Sequence, residues 1–148
     1  MTISISLLLV VALVIIDQLV KHWVATTITV GTSHVVIPGL LALTDLRNHG
    51  AAWSILQGQQ WFFAVVSVVA IAVVGYLMFR WRHQPGLMIG LALILAGTIG
   101  NFIDRLAQGY VVDMFELLFI NFPVFNLADS CLTIGVLILI IAILREDD

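Results

Sequence analysis

The sequence predicts a mainly α membrane protein, with four transmembrane helices, a small extramembrane β-sheet and a short interfacial segment. Three observations point there. Hydrophobic residues make up 61% of the 148 and charged residues only 10%, against roughly 25% charged in soluble domains. The apolar residues fall into four runs long enough to cross about 30 Å of hydrocarbon, which takes about 20 helical residues. The few polar and ionisable residues inside those runs collect toward one end.

The predicted spans are residues 3–24, 61–79, 86–103 and 125–144 of a single domain covering 1–148. Residues 1–16 carry no basic side chain and lead into Asp17, Gln18 and Lys21. A cleavable secretory signal has a positive start and a small-residue end, so the first span is expected to be retained. Ser67 is the most polar residue of the second span, which reads as a plain lipid-facing helix. No repeat or low-complexity tract divides the chain.

Arg80, Arg82 and His83 occupy the short turn between spans two and three. Positive clusters favour the cytoplasmic side, which places both termini in the cytoplasm and residues 25–60 and 106–124 outside. The first outer stretch is rich in Thr, Val and Ile, punctuated by Gly31, Pro38 and Gly39, and reads as short strands and turns. Its end, residues 51–60, mixes Trp53, Ile55 and Leu56 with Gln57, Gln59 and Gln60, an amphipathic pattern suited to the membrane interface.

Six basic residues and a net charge of -3 exclude nucleic acid as a partner, because phosphate backbones are bound by clustered Lys and Arg. One cysteine, Cys131, rules out an internal disulfide and offers no zinc-type spacing. A thiol peptidase is disfavoured, since His22, His34, His49 and His83 are dispersed over both faces of the membrane. Trp23, Trp53, Trp61 and Trp81 lie near segment ends and read as interfacial anchors.

The predicted topology brings the outer ends of spans one and three to the outer start of span four. Asp17 and Lys21, then Asn101, Asp104 and Arg105, then Asn126 and Asp129 therefore meet, with Asn48 and Asp113 in the loops beside them. Each ionisable group in a bilayer costs roughly 2.5–3.5 kcal/mol on insertion scales, so several at one depth imply a polar pocket. Asp17 with Lys21, Asn101 with Arg105 and Asn126 with Asp129 are spaced three or four apart, so each pair shares a helix face.

Polar side chains also join membrane helices simply by hydrogen bonds worth about 0.6 kcal/mol each. Asp113 and Asp129 fit that role poorly, because two acids at one depth ionise together only if cations pair with both. A carboxylate pair sharing one proton is what an aspartic peptidase uses. Spacing alone leaves both readings open. A proton-conducting transporter would carry polar residues through the full depth, whereas here they stop on one side. A lipid-modifying transferase would share the access to lipid without requiring both acids.

The motifs are more specific. They run Asp17-Gln18 with Lys21; Arg47-Asn48-His49-Gly50-Ala51-Ala52-Trp53; Gly97-Thr98-Ile99-Gly100-Asn101-Phe102-Ile103-Asp104-Arg105; Val111-Val112-Asp113; and Phe125-Asn126-Leu127-Ala128-Asp129-Ser130. In order and over nearly the whole chain, this series resembles the motif set of the lipoprotein signal peptidases, signal peptidase II. Thr98-Ile99, Met114 and Trp53 depart from the commoner residues of that set without removing a functional group.

The resemblance implies a four-helix bundle with an extramembrane sheet cradle and an interfacial helix in the bacterial cytoplasmic membrane, with the active site near the outer face. It implies an aspartic endopeptidase that cuts prolipoproteins before a diacylglyceryl cysteine, needing no metal or organic cofactor. Prolipoprotein and membrane lipid are its expected partners, and a monomer its expected state. By resemblance Asp113 and Asp129 are the catalytic pair. Asn48, Gly97, Asn101, Arg105, Asn126 and Ala128 form the substrate-binding polar shell, and Asp17 and Lys21 support it.

Overall fold

A computed structural model describes residues 3–50 and 56–146, and the side chain of residue 146 lies outside the description. The elements are α1 (Ile3–Thr27), β1 (Ser33–Ile37), β2 (Leu41–Asn48), α2 (Gln60–Arg80), α3 (Pro85–Gln108), β3 (Val111–Leu117) and α4 (Leu127–Glu146). All four helices are long and apolar enough to cross a membrane.

The helices satisfy their backbone groups internally, as lipid demands, and turn Leu, Ile and Val outward. Leu8, Leu19, Val65, Val69, Leu137 and Ile141 are all exposed. Helix α3 is the exception: its apolar stretch is mostly buried, because α1, α2 and α4 each pack against it. At the end away from the sheet, Val10 of α1 and Val74 and Met78 of α2 meet Met88, Leu91, Ala92 and Leu95 of α3.

Between membrane helices no hydrophobic driving force remains, so small residues that permit close van der Waals contact set the crossing. A Cβ on Gly90 would lie 2.9 Å from the Gly135 carbonyl oxygen, and one on Gly135 would lie 2.8 Å from that of Gly90. One on Gly97 would strike the Ala128 carbonyl oxygen and come within 2.8 Å of Leu132 Cγ. Helices α3 and α4 therefore touch backbone to backbone.

The sheet has the order β1-β2-β3, antiparallel throughout. It joins the bundle through Val24 and Ile28 at the end of α1, which pack on Val112 and Met114 of β3. Leu43 faces Phe115, but Leu46 faces Asp113, so β2 holds one extra residue between them. Such a bulge re-aims the strand beyond it. Past the bulge, Asn48 pairs with Val111 and shares a face with Asp113.

The sequence places the sheet in the first outer stretch alone; its third strand, β3, comes from the second. The predicted end of span three at residue 103 also falls short, because α3 stays helical to Gln108 and stops at Gly109, where φ is 76°. Charges at Asp104 and Arg105 end the hydropathy signal but not the helix, since both lie toward protein. Span four begins two residues later than predicted, with Asn126 as its cap and Phe125 bridged to Phe115. Of the expected interfacial segment, residues 51–55 lie outside the described residues; Leu56–Gly58 is a turn leading into α2.

Candidate active site

Asp113 projects from β3 and Asp129 from the first turn of α4, and both line one cavity of about 590 Å³. Two amides connect them, and a third holds Asp113. Asn126 Nδ2 donates to Asp113 Oδ1 at 2.7 Å and to Asn101 Oδ1 at 3.0 Å. Asn101 Nδ2 donates in turn to Asp129 Oδ1 at 2.8 Å. Asn48 Nδ2 reaches Asp113 Oδ2 at 3.0 Å.

Amide oxygen and nitrogen are assigned from their partners, so a donor-only neighbour decides each orientation. The backbone N–H of Asp129 donates to Asn126 Oδ1 at 2.8 Å, and that of Gly50 donates to Asn48 Oδ1 at 2.9 Å. The Lys21 ammonium donates to Asn101 Oδ1 at 2.9 Å. All three side chains are thereby turned with their NH₂ groups toward the two carboxyl groups.

Beneath this layer lies an ion cluster. Lys21 Nζ is 2.9 Å from Asp17 Oδ2 and 3.0 Å from Asp104 Oδ2, with all three side chains 3% exposed. Each acid also ties down backbone beside the carboxyl pair. Asp17 Oδ1 accepts the Ala128 N–H at 3.0 Å, one residue before Asp129, and Asp104 Oδ2 accepts the Val112 N–H at 3.2 Å, one residue before Asp113. Gln18 Nε2 donates to Asp17, Asp104 and the Gly100 carbonyl. A buried ion pair compensates its desolvation only when its remaining hydrogen-bond capacity is met, and these contacts largely meet it.

Burial pushes the Asp113 carboxyl up to about 7, and the neighbouring Asp129 pushes the same way. The donors Asn48 and Asn126, and the Lys21 charge, pull it back only in part. Burial is thus the larger cause and the second carboxyl group nearby the next.

Arg105, on the cavity wall, stacks over the Phe63 ring at 4.8 Å and makes one long contact of 3.5 Å to the Gly50 carbonyl. Its Nε is buried with no hydrogen-bond partner among the described residues, so the guanidinium has donors that a bound carbonyl can take. Much of the remaining lining is apolar, with Leu117, Phe122, Pro123, Val124, Leu132 and Ile134. One pocket thus pairs a polar end holding two carboxyl groups with a greasy arm.

Of the residues singled out from sequence, Asp113, Asp129, Asn48, Asn101 and Arg105 line the cavity, and Asn126 lies behind them, fully buried. Gly97 and Ala128 sit at the α3–α4 crossing and contribute close approach and one backbone N–H. Asp17 and Lys21 form the ion cluster below. Asp104 and Gln18 entered the sequence reading without an assigned role, yet they complete that cluster. The signal was present: Asp104 lies three residues after Asn101, on the same face, and Gln18 adjoins Asp17.

Four membrane-length helices around paired carboxyl groups define the class as an integral membrane peptidase of the aspartic type. Residues 9–145 match the family described as Signal peptidase (SPase) II, and the chain belongs to that family. It is 57% identical over 143 residues to the lipoprotein signal peptidase of Lactiplantibacillus plantarum, covering 97% of this chain and 96% of the relative. It is 50% identical over 145 residues to that of Streptococcus pneumoniae, covering 97% and 95%. A bacterial membrane enzyme solved at 2.3 Å superposes with a TM-score of 0.94 at 40% identity, covering 99% of this chain and 91% of that one. A second, solved at 1.9 Å, gives 0.89 at 41%, covering 97% and 94%.

Proposed function

We propose that this chain removes the signal peptide from diacylglyceryl-modified prolipoproteins, cutting before the lipidated cysteine with Asp129 and Asp113 as the catalytic pair. The observation that carries the reading is the hydrogen-bonded link from Asp113 through Asn126 and Asn101 to Asp129 at the polar end of one cavity. The greasy arm beside it suits a substrate whose reacting residue carries acyl chains.

Asp113 holds the shared proton at rest, in keeping with its raised pKa near 7. Asp129, in the first turn of α4, acts as the general base. Asp129 takes a proton from water as the oxygen attacks the scissile carbonyl carbon, and Asp113 gives its proton to the carbonyl oxygen. The resulting gem-diol collapses: Asp129 protonates the leaving nitrogen, Asp113 recovers a proton from one hydroxyl, and the C–N bond breaks. A carboxylic acid on the signal peptide and a free amine on the lipidated cysteine result, and both aspartates are back in their starting states. The acid then loses its proton to water or to the amine. The spare donors of Arg105 hold a substrate carbonyl in register.

Arg80, Arg82 and His83 at the α2–α3 connection support cytoplasmic termini and an active site near the outer face of the bacterial cytoplasmic membrane. There the acyl chains of the substrate stay in hydrocarbon during cleavage. Everything the chemistry needs comes from one chain, which supports a monomer.

The test is cleavage of a purified diacylglyceryl prolipoprotein by the parent and by Asp113→Asn and Asp129→Asn variants shown to be folded. Both variants are expected to lose turnover by orders of magnitude. Near-parental turnover in either one overturns the pair.

A further inference from the structure

Lys21 is 3% exposed, and its three N–H donors meet three acceptors. Two are the carboxylates of Asp17 and Asp104, which leave the cluster with one net negative charge. The third is a neutral amide, Asn101 Oδ1 at 2.9 Å, and this is the amide that touches Asp129. An ammonium can only donate, so Asn101 must turn its oxygen to Lys21 and its NH₂ to Asp129.

Asn126 also reaches Asn101 Oδ1, at 3.0 Å, but it is bonded to Asp113 and to the Asp129 backbone as well. Asn126 is thus held by the reacting pair itself. Among the described residues Lys21 makes no hydrogen bond or ion pair with either member of the pair, although its charge acts on Asp113, and Asp17 and Asp104 anchor it. Through Asp104 Oδ2 the same ammonium is also linked to the Val112 N–H, beside Asp113.

We infer that Lys21 is a positioning residue for the hydrolysis, holding Asn101 so that an amide N–H stays on Asp129 throughout the reaction. The inference rests on the proposed Asp113–Asp129 pair. It assigns Lys21 a part in turnover that charge balance within the bundle does not require.

Removing Lys21 alone would leave two buried acids without a cation, so the charge is compensated in the test. Lys21→Met with Asp104→Asn leaves Asp17 as the single negative charge, the same net charge as the native cluster. Full-length protein is assayed with diacylglyceryl prolipoprotein, alongside its thermal unfolding. The folded double variant is expected to keep KM and lose roughly 10–100-fold in kcat, the range seen when a group orienting a reactive ligand is removed. Because Asp104 also holds the Val112 N–H, Asp104→Asn alone is assayed alongside, and Lys21→Met is expected to add most of the loss. In an Asn101→Ala Asp104→Asn background, Lys21→Met is expected to cost no further kcat, because its route to Asp129 is already cut.

Parental kcat in the folded double variant, a loss no greater than in Asp104→Asn alone, or a further loss from Lys21→Met in the Asn101→Ala Asp104→Asn background overturns the inference. Where the Met version does not fold, Lys21→Gln with Asp104→Asn, which restores an N–H donor to Asn101, is compared with Asp104→Asn alone. Similar kcat values are expected, and a large loss overturns the inference. Turnover surviving Asp129→Asn defeats the pair itself. Loss in Asp129→Asn together with parental kcat in the Lys21 variant defeats only the role of Lys21.

Discussion

Asn126 and Asp129 cap each other: the Asp129 N–H donates to Asn126 Oδ1 at 2.8 Å, and the Asn126 N–H donates to Asp129 Oδ2 at 3.1 Å. This is a reciprocal cap in which the third helical residue reaches back to the capping one. Here the acid doing the reaching is also the proposed base, so the start of α4 and the start of catalysis depend on one geometry.

Asn126→Ala removes that cap and the donor to Asp113 together. Loss of the cap costs about 1 kcal/mol, a modest fall in melting temperature. Loss of a donor aimed at a reacting group costs roughly 10²–10³-fold in kcat. Measuring both on one preparation separates them: a fall in kcat no larger than the stability loss explains would refute the placement of Asn126 at the reacting groups.

The raised Asp113 pKa sets a pH dependence. An acid held above its ordinary value of 3.8 binds its proton more tightly when folded, so the cost of ionising it grows as pH rises from about 4 to about 7 and is then constant. Thermal stability should decline across that window, and Asp113→Asn should flatten the decline. Activity should fall as pH passes about 7, where the shared proton is lost. A kcat profile still rising well above that point would contradict Asp113 as the acid.

Gly97→Ala tests the crossing of α3 and α4. The added methyl would strike the Ala128 carbonyl oxygen, a backbone atom, and lie 2.8 Å from Leu132 Cγ, so the two helices would have to move apart. Overpacking of this kind costs about 1–3 kcal/mol. Because Asn101 lies one turn along α3 and Asp129 adjoins Ala128, separating the helices also lengthens the 2.8 Å contact between them. Expected results are a lower melting temperature and a fall in kcat in the folded fraction; unchanged turnover would show that the spacing is not critical.

The sequence by itself determined the four spans, the class of enzyme and the residues gathered at one end of the bundle. Runs of apolar residues report the bilayer directly, and ionisable groups inside them are too costly to be placed without a use. Hydropathy could not show where α3 ends, because Asp104 and Arg105 look like water-facing residues until the fold turns them toward protein. It could not place Asp113 on a strand either, since β3 pairs with β2 across more than sixty residues of chain.

Only the tertiary structure decided which way each amide faces. Asn48, Asn101 and Asn126 are each both donor and acceptor, and their direction comes from a neighbour that can only donate: the Gly50 N–H, Lys21 and the Asp129 N–H. Two of those neighbours are close in sequence, but Lys21 is 80 residues from Asn101. A one-dimensional pattern records which groups are present; the direction of a hydrogen bond depends on where folding brings its partner.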